Sequence, residues 1–132
     1  MRDSPALRRT LVASVLYDIA GLILLLWMPA WLFDLFAHPI PSDPFLFRLA
    51  ALPLALLPVV YAMAARNPVE RWMLTVASFR LRLWGGMAIG AVVAWQAPAV
   101  PTPYLAFAVG DWVWAGLIWL AARPVGRTLW RP

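Results

Sequence analysis

The chain has no cysteine, no lysine and a single histidine, His38. The first absence excludes disulfides, thiol catalysis and cysteine-ligated zinc or iron–sulfur sites. One histidine is too few for the usual zinc or haem ligand sets. Acidic residues are also scarce: six face eleven arginines, and the net charge is +5. No Ser–His–Asp constellation or Gly-rich phosphate loop can be assembled, and the loops carry too little polar chemistry to work on a soluble substrate. The chain is therefore read as non-catalytic, with no metal and no resident cofactor.

What is abundant is apolar. Hydrophobic residues make up 64% of the 132 positions, against about 45–50% in a soluble domain, and the mean hydropathy is +0.76. Nine tryptophans point the same way, because indole favours the water–lipid interface. The arginines flank apolar runs instead of forming a basic face, which speaks for orientation in a bilayer and against a nucleic-acid partner.

Four apolar runs approach the ~20 residues that a helix needs to cross about 30 Å of hydrocarbon. They lie at about 11–28, 45–65, 76–96 and 104–122, with proline beside each, where a helix tolerates or ends on it. The third helix is expected to begin before its apolar run, with Asn67 as N-cap, Pro68 at the first helical position and Glu70 at the third. The loop "PAWLFDLFAHPIPSDP" reads either as a short interfacial helix, with Asp34 and His38 toward water, or as an aromatic anchor between spans, and the anchor is preferred.

Eight arginines lie before the first run, between the second and third, or after the fourth; the loops 29–44 and 97–103 contain none. By the positive-inside rule both termini are cytoplasmic. The fold class expected is all-α integral membrane: one domain over 1–132, a four-helix bundle in a bacterial inner membrane.

Five ionisable residues fall inside the runs: Asp18, Arg48, Arg80, Arg82 and Asp111. Charge in lipid is costly, so such groups face a bundle interior and pair. By depth, Asp18 is within reach of Arg80 or Arg82, and Asp111 within reach of Arg48 or the same two arginines. Arg80, the surplus cation, is expected to snorkel. Two readings compete for this set. One is structural, with ion pairs fixing helix register; the other is functional, with Asp18 or Asp111 binding a proton, cation or amine. Matching arginine depths favour the first. Gly86 and Gly90, a GxxxG pair, permit close helix approach, and Pro53 and Pro58 should kink the second helix. The compatible ligands of such an interior are lipid, quinone or pigment.

The stretches "YDIAGLILL" (17–25), "FRLAALPLALLPVVYAMAAR" (47–66) and "GDWVWAGLIW" (110–119) resemble a broad group of small four-span bacterial inner-membrane proteins. The matching positions are Asp18, Arg48 and Gly110–Asp111. The resemblance implies a four-helix membrane bundle and brings no activity with it. The first-span glutamate of small multidrug transporters is absent. The expected role is an accessory or assembly subunit whose partners are the lipid bilayer and either other membrane helices or a second copy of the chain. The alternative is a small transporter or apolar-ligand binder that uses the buried Asp and Arg residues.

Overall fold

In a computed structural model, residues 4–27, 30–35, 37, 45–96 and 103–130 are described, with side chains for all of these except 32, 45–54, 93, 96, 103 and 104. Among them there are five α-helices and no strand: α1 (Pro5–Trp27), α2 (Ala30–Leu35), α3 (Phe45–Arg66), α4 (Trp72–Gln96) and α5 (Pro103–Ala122). A 3-10 turn, Arg123–Val125, closes α5 and ends at Gly126, whose φ of 74° is the left-handed conformation a side chain disfavours.

Local signals account for the helix ends. Ser4 caps α1, its hydroxyl accepting from the Leu7 N–H at 3.3 Å, and Pro5 takes the first position, where a missing N–H costs nothing. α1 thus starts six residues ahead of the apolar run expected at 11–28. Pro53 and Pro58 lie inside α3 without ending it. α4 departs from expectation by starting at Trp72 rather than Pro68. Residues 67–71 form a turn in which the Arg71 N–H donates to the Asn67 carbonyl at 2.9 Å. The Pro68 carbonyl is taken by the Thr75 hydroxyl at 2.9 Å, so a buried side chain supplies the bond a helical turn would have made. Asn67 still reaches the Glu70 N–H, at 3.5 Å. The 30–35 stretch is helical, against the preferred anchor reading: Phe33 turns inward at 2% exposure while Trp31 and Leu35 stay outside. His38 lies outside the described residues.

α1 packs most extensively on α3 and α4 on α5; α3 also meets α4, and α1 meets α5. The four long helices close a ring in which α1 and α4 stand diagonally. A buried apolar cluster fills one end, built from Leu7 and Leu11, Ala64 and Ala65, Trp72 to Phe79, and Ala115 to Ala122, with Leu129 folding back over it. That end carries most of the arginines. Arg127 donates to the Val69 carbonyl at 3.2 Å, Arg71 to that of Met63 at 3.3 Å and Arg80 to that of Trp130 at 2.6 Å.

Among the described residues two helical stretches, Pro5–Trp27 and Leu105–Val125, are long and apolar enough to cross a membrane. Across the middle of the long helices the polarity is the reverse of that in a water-soluble protein. Arg82 and Asp111 are buried, whereas Trp27, Trp84, Trp95 and Leu16 are among many large apolar side chains left exposed.

Candidate functional site

Each of three helices interrupts an apolar buried stripe with a polar group. On α1 the stripe runs Leu7, Leu11, Ser14 and then Asp18; on α4 it runs Trp72, Val76, Phe79, Arg82 and Gly86; on α5 it runs Ala108, Asp111, Ala115, Ile118 and Ala122. The spacings of three and four residues keep each set on one helix face. Ser14–Asp18, Arg82 and Asp111 lie roughly 14–20 Å along their helices from the arginine-rich end at 1.5 Å per residue. The charges therefore meet at one level.

Arg82 is the hub. Its Nη1 donates to Asp111 Oδ1 at 2.5 Å, and its Nη2 donates to Asp18 Oδ1 at 2.5 Å and to Ser14 Oγ at 2.6 Å. The Ser14 carbonyl also accepts from Nη2, at 3.3 Å. The rings of Tyr61 on α3 and Tyr17 on α1 lie 4.7 and 5.6 Å from the guanidinium carbon, within range of cation–π attraction. All four long helices thus touch one guanidinium, and the Asp18 bond crosses the diagonal of the ring. The side chains of Arg82, Asp18 and Asp111 are 1%, 7% and 12% exposed, so water screens these pairs weakly.

One guanidinium between two carboxylates leaves the cluster one negative charge in excess when both acids are ionised. Three of its atoms, Asp18 Oδ2, Tyr61 Oη and Arg82 Nε, are buried with no hydrogen-bond partner among the described residues. The arrangement can hold charge and fix helix positions. Among the described residues no three His, Cys, Asp or Glu side chains gather as metal ligands.

Of the five ionisable residues found inside the apolar runs, Asp18, Arg82 and Asp111 come together, while Arg80 is turned to the Trp130 carbonyl. The Arg48 side chain lies outside the described residues. Ser14, Tyr17 and Tyr61 were not singled out. Ser14 had a signal, since it sits one turn before Asp18, whereas Tyr61 has only its helical register with Ala64 and Ala65. Gly86 and Gly90 face the indole of Trp112 on α5, so this GxxxG face is used within the chain. Gly85 passes the Asp111 carboxylate, and Gly110 passes Tyr17.

The Gly110 contact gives a testable consequence. A methyl there would overlap the Tyr17 hydroxyl oxygen and lie 2.9 Å from Cζ. Gly110→Ala is expected to cost about 1–3 kcal/mol as an overpacked site. Adding Tyr17→Phe should recover part of that loss, because it deletes the overlapping oxygen. Equal denaturation midpoints for Gly110→Ala with and without Tyr17→Phe would show that the hydroxyl is not the obstacle.

The chain matches no family model, no curated protein and no solved structure.

Proposed function

We propose that this chain is a four-span integral protein of a bacterial inner membrane, with both termini cytoplasmic, and that it acts as a non-catalytic accessory or assembly subunit. The observation that carries the reading is a polarity reversed at mid-helix: an Arg–Asp cluster buried inside, and large apolar side chains left outside on every long helix. In water that surface would drive association; in lipid it is the expected exterior. The gathering of Arg8, Arg66, Arg71 and Arg127 at one end, through the contacts of their helices, supports the orientation.

The cluster supports an architectural role. Its ion pairs join α1, α4 and α5 and the Tyr61 ring brings in α3, in a set of helices whose other buried contacts are mostly apolar and weakly specific in lipid. The outer face of α4 supports the subunit role. Ala77, Leu81, Trp84, Gly85 and Ala88 line an open groove of about 630 Å³ there, with the small residues that let another helix approach. The alternative, a small-ligand binder or transporter, draws on the unpartnered Asp18 Oδ2 and Tyr61 Oη.

The test is extraction from the native membrane in a mild detergent, with every polypeptide and small molecule in the particle identified by mass. A foreign polypeptide in fixed stoichiometry is the expected result. A lone or self-associated chain carrying a small molecule would replace the subunit reading with the binder.

A further inference from the structure

Two adjoining cavities share a pair of arginines between α1 and α3. The first, of about 270 Å³, is polar and is lined by Ser4, Arg8, Arg66 and Asn67. The second, of about 230 Å³, runs beneath it as an apolar groove lined by Val12, Leu16, Ala62 and Ala65, and again by Arg8 and Arg66. On α1, Arg8, Val12, Val15 and Leu16 follow each other at helical spacing on one face; on α3, Ala62, Ala65 and Arg66 do the same. No carboxylate lines either cavity. Among the described residues neither guanidinium has a hydrogen bond or ion pair, and both residues are exposed. Arg71, the neighbouring cation, is turned to the Met63 carbonyl instead.

We propose that this is a binding site for one anionic glycerophospholipid. The phosphodiester sits between Arg8 and Arg66, and an acyl chain lies along Val12, Leu16 and Ala62. The inference rests on the membrane reading above. Two cations from different helices over an apolar channel match the amphiphile in both charge and order: anion at the helix ends, hydrocarbon below. A planar guanidinium binds phosphate oxygens bidentately, and Asn67 and Ser4 add neutral polar groups for a glycerol headgroup. A soluble phosphate would use the upper cavity and leave the groove empty, so the groove selects the lipid. The site also explains the narrow residues Ala62 and Ala65 on α3, which keep the channel open opposite Val12 and Leu16.

The experiment uses the full chain in neutral detergent, titrated with phosphatidylglycerol, phosphatidylcholine or glycerol phosphate, and reads bound lipid by native mass spectrometry. Phosphatidylglycerol should bind in one copy, in preference to phosphatidylcholine. Arg8→Gln and Arg66→Gln should each weaken it about fivefold, and together roughly 30-fold. Ala62→Trp, which fills the groove and leaves both charges, should weaken it as well. Equal binding of the two lipids, an unchanged preference in the double variant, or glycerol phosphate competing as strongly as the lipid would each overturn the proposal. Vesicle flotation separates the two layers of inference. A chain that floats with phosphatidylcholine vesicles yet shows no phosphatidylglycerol preference loses only the lipid site. A chain that floats with neither loses the membrane reading and the lipid site with it.

Discussion

Replacing Arg82 by methionine is expected to be the most destabilising single substitution in the polar interior. The side chain is 1% exposed and is the shared partner of Asp18 and Asp111. Its removal leaves two buried carboxylates facing each other with no cation between them. Breaking a buried pair by removing one partner costs about 3–5 kcal/mol, most of it the penalty on the stranded charge. The aspartates are not equivalent to the arginine in this respect. Asp18→Asn or Asp111→Asn leaves a balanced Arg–Asp pair and an amide that can still accept from the guanidinium, so each should cost only about 0.6–1.7 kcal/mol, the range of single polar contacts between membrane helices. The double Asn variant strands Arg82 and should lose more than the sum of the two singles. Adding both Asn substitutions to Arg82→Met should restore much of the loss, since no charge is then left buried. Unfolding in mixed micelles with increasing denaturing detergent gives the order. Should Arg82→Met prove no worse than Asp18→Asn, the cluster is not organised around the guanidinium.

The second large effect is expected at Gly86, and its sign reverses one turn later. An added methyl at Gly86 would fall 2.7 and 2.8 Å from Nε1 and Cδ1 of Trp112 and 2.9 Å from the Ala108 carbonyl oxygen. The indole can shift; the carbonyl belongs to the α5 backbone and cannot move without separating α4 from α5. Gly86→Ala should therefore cost about 1–3 kcal/mol. At Gly90 the same methyl meets only the far edge of the indole, at 3.6 and 3.8 Å, an ordinary contact. Gly90→Ala should be neutral or stabilising by up to about 1 kcal/mol, because alanine is the better helix former. The pair of variants distinguishes a GxxxG face used inside the chain from one reserved for another molecule. A loss of self-association in either variant, with monomer stability intact, would mean that the glycines serve an intermolecular contact instead.

Helices were readable in this sequence because long apolar runs bounded by proline leave few other ways to satisfy a backbone. α3 and α5 coincide closely with the runs at 45–65 and 104–122. The ends were less legible where a tertiary contact decides them. α4 starts late because the buried Thr75 hydroxyl takes the Pro68 carbonyl, a bond that local propensity does not register. α2 exists as a helix with Phe33 tucked inward, whereas the apolar stretch alone read as an anchor.

The polar positions divide in the same way. That Asp18, Arg82 and Asp111 must find partners follows from the cost of charge in an apolar setting, and composition and spacing alone determined it. Which partners they find does not follow, because depth along a helix is a one-dimensional coordinate and pairing also requires the facing direction. Only the tertiary structure turned Arg82 toward both acids, sent Arg80 to the Trp130 carbonyl, brought Ser14 and the two tyrosines around the guanidinium, and seated Trp112 against Gly86. Those choices depend on helix rotation and on the ring order α1–α3–α4–α5, which arise from side-chain packing among segments far apart in the chain.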